Sequence, residues 1–308
     1  MSEGSLIDWL RGRISPTDIV QVGPGDDAAV LAPDGDGRIV VTTDAFLEGT
    51  HFAPDDPPAG IGHKVIAASV SDIAAMGCIP TACFVTLGLC RARGDAFVRE
   101  LGEHMIAAAE RYGAPITGGD LTSWDEPCCV SVTVLGRTAG CDPVLRSGAK
   151  PGDLIFVTGS LGGSALGRHL SPEPRIAEGT HIAGKAHASA MIDVSDGLST
   201  DLGHIARESG VGAVIRETAI PLSDAARELE QEHGRTALEH ALHDGEDFEL
   251  LCTVPPGNAN QLRELWPFAT PITEIGEVTS ANVLIEHADH SRTTLEPQGY
   301  EHSWHHDN

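Results

Sequence analysis

The sequence predicts an α+β protein of two domains, each with strands packed against helices. The chain has 308 residues, 41% of them hydrophobic, which is enough for two hydrophobic cores of ordinary size. Segments with strand and helix patterns are interleaved along the chain. A stretch rich in glycine, proline and charge, CDPVLRSGAKPGD, separates the two halves. We therefore expect one domain at 1–140 and a second at 141–308.

Apolar spacing and turn residues predict the elements of the first half. Phe97, Leu101 and Met105 recur at helical spacing, and Gly77 ends the apolar helix that precedes them. The predicted order is a helix at 5–14, the strands VGPGDDAAVL and GRIVVTTDAF joined by a turn at 33–37, a helix at 60–76, the strand ACFVTLGL, a helix at 94–111, and the strands APITGGD and CCVSVTVLGRT.

The second half begins with a strand that runs into the glycine-rich turn GSLGGSALG. That turn has two interpretations: it exposes backbone N–H groups to a phosphate, or it is a plain turn at the domain entry. Arg146 and Lys150, just before it, either face phosphate or are solvated charges of a linker. The predicted elements that follow are a strand and a helix in AMIDVSDGLSTDLGHIARESG, the strand AVIRE, the helix SDAARELEQEHG, the strand DFELLCTV, the helix NANQLRELW, and the strands ITEIGEVT and VLIEH.

Composition argues against several classes of protein. The formal net charge is −25, whereas nucleic-acid backbones are bound by basic surfaces, so we expect no nucleic-acid partner. No apolar run approaches the roughly 18 residues of a membrane span, and the N-terminus lacks a signal-peptide pattern. The seven cysteines include no CxxC pair, which is typical of reduced thiols. We therefore expect a cytoplasmic protein that does not bind membranes.

Asp72 is the one charged residue between Lys64 and Arg91, within the apolar stretch IAASVSDIAAMG. An ionised carboxylate in such a segment is costly unless a positive charge meets it. No basic side chain is close in sequence. The partner of Asp72 must therefore be a distant residue of the fold or a bound cation.

Other carboxylates stand where predicted strands end. Each of these alone is explained by a turn or a helix cap, and Ser195 or Asp196 could cap the helix that follows them. Together they favour a ligand site, and oxygen ligands without Cys or His spacing favour Mg²⁺ and hence a phosphate ligand. The sequence has neither a GxxxxGK[ST] loop nor a GxGxxG turn between a strand and a helix. These carboxylates are Asp26, Asp27, Asp44, Asp120, Asp193, Asp196 and Asp201.

In combination these motifs resemble the thiamine-monophosphate kinase family, of the superfamily that includes aminoimidazole ribonucleotide synthetase. The resemblance runs from about residue 20 to 300, and SDIAAMG and DVSDGL with GED are its most specific parts. The pieces occur in the family's order: GDDAAVL, TTDAFLEGTHF, SVSDIAAMGCIP, GGDLT, RSGAKPGD with VTGSLGG, PEPRI, IDVSDGLSTDLGHIA, GEDFELL and GYEH.

The resemblance implies an aminoimidazole ribonucleotide synthetase-like fold and an enzyme that transfers the γ-phosphoryl group of ATP to thiamine monophosphate. It implies several Mg²⁺ ions, ATP as co-substrate, and a homodimer formed through the N-terminal domains. The acceptor is itself an ionised phosphate, so we expect direct in-line transfer without a catalytic side chain that forms a covalent bond.

The family's site residues transfer to matching positions of this chain. The implied magnesium ligands or their close neighbours are Asp27, Thr42, Thr43, Asp44, Asp72, Asp120, Asp193 and, as a further ligand, Asp196. The implied ATP contacts are Gly119, Asp120, Arg146 and Ser195. The implied contacts to thiamine monophosphate are His51, Glu246 and Tyr300.

The chain departs from the family pattern in two segments. Asp244 stands where the family has the first glycine of GGED, and we expect it to add charge beside the acceptor pocket. The segment RHLS at 168–171 is short, which indicates a trimmed surface element. Trp304 is a further candidate to stack on the acceptor, and the histidine-containing tail HSWHHDN is either a metal site or a frayed end.

Two alternative functions stay open at this point. One is another ATP-dependent member of the superfamily, an aminoimidazole ribonucleotide synthetase-like ligase. The other is a non-catalytic nucleotide-binding regulator.

Overall fold

The computed structural model describes residues 20–22, 26–32 and 37–300. The helix predicted at 5–14, most of the turn at 33–37, Trp304 and the tail lie outside these residues. Within them the chain forms a six-stranded and a seven-stranded mixed sheet, and helices pack on both. The predicted α+β class is therefore confirmed.

The first sheet is built from residues 20–137. Its strand order is β1-β2-β3-β6-β4-β5, and β4 and β5 are its parallel pair. Two helices cover one face, where apolar side chains of helices and strands form a common core. The elements are β1 (Val20–Val22), β2 (Ala29–Leu31), β3 (Ile39–Leu47), α1 (Pro58–Ala75), β4 (Ile79–Cys90), α2 (Gly94–Arg111), β5 (Ile116–Trp124) and β6 (Cys129–Arg137).

The second sheet has the order β13-β12-β9-β11-β7-β10-β8, with β9 and β12 parallel. Two apolar clusters pack with it. The elements are β7 (Leu154–Thr158), α3 (Ile176–His181), β8 (Ala190–Asp193), α4 (Leu198–Ser209), β9 (Gly212–Arg216), α5 (Asp224–His233), α6 (Ala237–His243), β10 (Leu250–Val254), α7 (Pro256–Glu264), β11 (Ile272–Thr279), β12 (Val283–Glu286) and β13 (Arg292–Thr294).

Helix α1 is buried along most of its length because it lies between the two sheets. It packs on α2 and on strands of the first sheet, and it also contacts α3 and β8 of the second half. Ile61, Val65 and Ile73 are fully buried. This position explains why the helix is apolar on nearly every side, and within it Lys64 is buried and Asp72 is half-buried.

Several local predictions differ from the structure. The segment predicted as one strand, VGPGDDAAVL, holds the end of β1 and all of β2, and Asp26 and Asp27 between them contact Arg146. Helix α3 and strand β13 were not predicted. Helix α6 was also missed, although Thr236 and Glu239 form a capping box that fixes its start. None of the helices in the described ranges is long and apolar enough to cross a membrane.

Candidate active site

Four carboxylates from different parts of the chain converge beside helix α1. Carboxylate oxygens of Asp27, Asp72 and Asp193 all lie within 4.8 Å of one another. Asp44 is close enough for its charge to act on Asp72, and it lines the same cleft as Asp72 and Asp193. The turn before β2, strand β3, the last turn of α1 and the end of β8 thus place four of the predicted metal ligands together.

Strand β3 presents alternate side chains to this cluster. The Thr42 hydroxyl donates to Oδ2 of Asp72 at 2.5 Å, and Asp44 lies two residues further on the same side of the strand. Thr43 points to the opposite side, where its hydroxyl lies 2.9 Å from that of Thr133. The side chain of Thr43, a predicted magnesium neighbour, is therefore not brought to the carboxylates.

Burial and mutual repulsion disfavour ionisation in this cluster. Burial raises the pKa of Asp72 well above its ordinary value, and the charges of Asp44 and Asp193 raise it further. Burial, with the charge of Asp27, raises the pKa of Asp193 to about 8. A cation would reverse this penalty, and buried carboxylate oxygens are the ligands that Mg²⁺ prefers. The donor set therefore fits Mg²⁺.

Arg146 is a basic residue that reaches these carboxylates. Its guanidinium group binds Asp27 through two hydrogen bonds of 2.9 and 3.0 Å, and its backbone N–H donates to Asp26 at 3.0 Å. One guanidinium cannot neutralise four carboxylates. Arg146 was predicted to contact ATP, and the structure places it beside the metal-ligand cluster.

Asp44, Asp72 and Asp193 line one part of a cleft of about 480 Å³ between the two halves of the chain. Ser195 and Asp196 line it from the loop before α4. The predicted acceptor contacts His51, Glu246 and Tyr300 also line it. The backbone N–H of Tyr300 donates to the carbonyl of Asp196 at 3.1 Å, which fixes the C-terminal segment at the site.

Gly119 and Asp120 are not brought to the cleft of their own chain. The sheet register runs from Asp44 to Val132, then to Val85, and then to Gly119. Three strand spacings separate Asp44 from Gly119, which amounts to roughly 14 Å. Asp120 follows Gly119 on the edge strand β5, so both predicted ATP contacts lie well away from the carboxylate cluster.

The glycine-rich turn is held by protein contacts. The Gly162 N–H donates to both carboxylate oxygens of Asp247, at 2.9 and 3.0 Å. Gly162 and Gly163 have positive φ, and a Cβ on Gly162 would lie 2.6 Å from the backbone nitrogen of Ala241. Of its two interpretations, the structural turn is favoured.

Asp196 belongs to a second cluster of potential metal ligands, with Asp201 and His204. One carboxylate or imidazole atom of each residue lies within 4.8 Å of the others. Oδ2 of Asp201 accepts from the Asp196 N–H at 3.2 Å. Burial, followed by the charge of Arg146, lowers the pKa of His204 to about 4, which keeps its imidazole neutral. Asp196 thus lies at the cleft with a backbone fixed by Asp201.

Asp244, the departure from the family pattern, has Arg235 and His240 as close partners. Its carboxylate accepts from Arg235 at 3.0 Å and lies 2.8 Å from Nδ1 of His240. The sequence predicted added charge beside the acceptor pocket, and Asp244 does line the cleft. Its local partners reduce the charge that a ligand would meet.

Sequence reasoning missed Lys64, which contacts two predicted acceptor residues. Its ammonium group lies 2.6 Å from Oε1 of Glu246 and 2.5 Å from the carbonyl oxygen of His51. The available signal was of the kind that identified Asp72: a charged residue within an apolar helix.

Two family models match the chain. Residues 25–138 match the N-terminal domain of AIR synthase related proteins, and residues 150–288 match their C-terminal domain. The two sheets and the cleft between them therefore define an AIR synthase-related protein.

The curated relatives that the chain matches are thiamine-monophosphate kinases. The thiamine-monophosphate kinase of Rhodopirellula baltica is 40% identical over 97% of both chains, and that of Escherichia coli is 36% identical over 97% of this chain and 98% of the relative. The solved structure of AaThiL complexed with AMPPCP and TMP matches with a TM-score of 0.85 and 30% identity, covering 98% of this chain and 97% of that one. The chain belongs to the thiamine-monophosphate kinase family, as its motifs predicted.

Proposed function

We propose that this chain transfers the γ-phosphoryl group of ATP to thiamine monophosphate, which yields thiamine diphosphate and ADP. The observation that carries the proposal is the full-length match to thiamine-monophosphate kinases. A solved relative of the same length is complexed with AMPPCP, an analogue of ATP, and with TMP. The cleft of this chain has carboxylates and candidate acceptor contacts on its walls.

Asp27, Asp44, Asp72 and Asp193 would hold Mg²⁺, with Asp196 as a further ligand. When bound, Mg²⁺ neutralises and aligns the phosphate groups of both substrates. The Thr42 hydroxyl orients Asp72, and Arg146 orients Asp27, so the two carboxylates are fixed before a ligand arrives. Four carboxylates offer more negative charge than one divalent ion balances, which supports several ions.

The reaction needs no strong general base, because the acceptor phosphate is already ionised near neutral pH. Phosphoryl transfer of this kind depends on alignment and charge neutralisation. We therefore assign binding roles to His51, Glu246 and Tyr300 at the acceptor side of the cleft and to Ser195 at the ATP side. No side chain is assigned a covalent role, and the transfer is direct and in line.

We propose a homodimer that forms through the uncovered face of the first sheet. Leu47, Phe84 and Trp124 lie on the side of the strands away from α1 and α2, and they are 43%, 44% and 43% exposed. Large exposed apolar groups on one face support a protein partner. Gly119 and Asp120 lie at the same edge, remote from their own cleft, and we assign them to the ATP site of the second copy.

We also propose that the enzyme is cytoplasmic. All seven cysteines carry free thiols, and Cys78, Cys83, Cys128 and Cys252 are buried. Burial raises the pKa of the Cys78 and Cys252 thiols to about 12, so they remain protonated and unreactive. Unreactive buried thiols are compatible with a reducing compartment.

The direct test is an assay of purified protein with ATP, Mg²⁺ and thiamine monophosphate, in which thiamine diphosphate is detected by chromatography. We expect product that disappears when EDTA is added. Turnover with formylglycinamidine ribonucleotide instead would establish a ligase of the same superfamily. ATP binding without ADP release under either acceptor would establish a regulator.

A further inference from the structure

We propose that Lys64 is a positioning residue for the acceptor substrate. Its buried ammonium group fixes the Glu246 side chain and the His51 backbone at the places from which they contact thiamine monophosphate. The inference rests on the proposed function, since it concerns the acceptor side of the same cleft. Lys64 does not contact the carboxylate cluster, and its side chain is buried away from solvent.

Three acceptors surround the Lys64 ammonium group. Oε1 of Glu246 lies 2.6 Å from Nζ, the carbonyl oxygen of His51 lies at 2.5 Å, and Nδ1 of His169 lies at 3.2 Å. An ammonium group has three N–H donors, so this set satisfies it completely. Burial, followed by the charge of Lys64, lowers the pKa of His169, which favours the neutral imidazole that accepts a hydrogen bond.

The burial of Lys64 restricts where the Glu246 side chain can lie. The Lys64 side chain is 1% exposed, whereas the Glu246 side chain is 34% exposed and lines the cleft. A buried ammonium group without its carboxylate is strongly unfavourable, so Lys64 restricts Glu246 to one region of the cleft wall. Lys64 thus acts from behind the wall, and Glu246 presents its remaining surface to the ligand.

The backbone at Glu246 also requires support. Glu246 has a φ of 53°, in the left-handed region that a non-glycine residue adopts at a cost. Its N–H donates to the Ser195 carbonyl at 2.8 Å, and its side chain is held by Lys64. The residue is therefore anchored at both ends, which is how a strained conformation persists at a binding site.

Helix α1 connects this support to the metal-ligand cluster. Lys64 precedes Asp72 by eight positions in the same helix, and eight positions correspond to about 12 Å along a helix axis. One rigid, buried helix therefore sets the separation between the acceptor contacts and the carboxylates. A change at Lys64 should alter acceptor binding while it leaves the ATP side in place.

The test compares Lys64→Met with wild-type enzyme by steady-state kinetics in both substrates. We expect the KM for thiamine monophosphate to rise at least about tenfold and the KM for ATP to change by less than about twofold. The matched control is Lys185→Met, which removes an exposed lysine and should leave both constants unchanged. A Lys64→Met enzyme with a wild-type acceptor KM, or with equal rises in both constants, would overturn the proposal.

Two additional variants complete the test. If Glu246 acts together with Lys64, the double variant Lys64→Met/Glu246→Gln raises the acceptor KM no further than the larger single change, and additive effects contradict the pairing. If Lys64→Met does not fold, Lys64→Arg keeps the charge but displaces Glu246, and an unchanged acceptor KM there rejects the proposal. Wild-type enzyme without turnover refutes the proposed function instead, so the two failures are distinguishable.

Discussion

Asp72 gives the sharpest expectation for a single residue. Asp72→Asn keeps the shape of the side chain but removes a metal ligand, so we expect kcat/KM to fall at least about 100-fold. Without metal, the Asp72→Asn variant should be as stable as the wild-type protein or more stable, because a carboxylate beside Asp44 and Asp193 is unfavourable there. Kinetics with thermal unfolding in EDTA measure both effects.

The control for Asp72→Asn is Asp142→Asn. Asp142 is 80% exposed and pairs with Arg38 on the surface at 2.8 Å, so its replacement should change neither activity nor stability appreciably. Normal activity of the Asp72→Asn enzyme would show that Asp72 does not bind metal. Loss of activity in both variants would indicate a general sensitivity to charge.

The pKa of Asp193 predicts a pH dependence of Mg²⁺ stabilisation. This pKa is about 8 in the folded protein against an ordinary 3.8, so the unfolded chain loses this proton first as pH rises. The stability that the protonated group contributes is therefore complete below about pH 4 and is lost as pH approaches 8. Mg²⁺ competes with these protons, so its stabilising effect grows over the same range.

We therefore expect Mg²⁺ to raise the melting temperature more at pH 8 than at pH 6. Scanning calorimetry with and without Mg²⁺ at the two pH values measures the difference, and Asp193→Asn should reduce it. Equal shifts at both pH values would mean that the carboxylates are ionised before the metal binds. No shift at either pH would remove the basis for a metal site here.

At the scale of elements, Glu249 joins segments that lie far apart in sequence. The fully buried carboxylate precedes β10 and accepts from Thr158 at the end of β7, from Arg168, and from Arg175 at the start of α3. A Cβ on Gly159 would overlap this carboxylate, so the glycine at the end of β7 is required there. Glu249 thereby fixes both flanks of the glycine-rich turn.

Glu249→Gln should lower the free energy of unfolding by about 3 kcal/mol, because it removes the buried carboxylate that the Arg168 and Arg175 guanidinium groups share. Urea unfolding measures the change. Glu264→Gln, at an exposed glutamate near the end of α7, is the control and should have little effect. A loss below about 0.5 kcal/mol for Glu249→Gln would show that water replaces the carboxylate.

Elements differ in how well their sequence patterns predict them. Helix α2 was predicted at 94–111 and is observed at Gly94–Arg111, because its apolar residues recur at helical spacing on one face. Helix α6 is short and its apolar pattern covers only two turns, so its capping box was the only strong local signal. The contact of Asp26 and Asp27, before β2, with Arg146 joins residues about 120 positions apart, and no local pattern predicts it.

At the scale of the whole molecule, the proposed dimer makes a prediction about Asp120. If Asp120 serves the partner's ATP site, a heterodimer of one Asp72→Asn chain and one Asp120→Asn chain contains one intact site and one doubly defective site. We expect about half of the wild-type activity per heterodimer, whereas each variant homodimer is inactive.

The measurement uses the two chains co-expressed with different affinity tags and purified through both. An inactive heterodimer would show that Asp120 acts within its own chain, contrary to the proposal. A monomer in light scattering would reject the dimer itself. Trp124→Glu is the complementary variant, since it places a charge on the uncovered face. We expect this variant to be more monomeric than the wild-type protein.

The sequence by itself determined the α+β class and the acidic character, and it indicated Asp27, Asp44, Asp72 and Asp193 as candidate ligands, because periodicity, positions after strands and turns, and a charge within an apolar run are local properties. The pairing of Lys64 with Glu246, the remoteness of Asp120 from Asp44, and the ion pair of Asp244 with Arg235 were decided only by the tertiary structure. These contacts join residues that are distant along the chain, and their energies depend on burial and distance, which no sequence pattern contains.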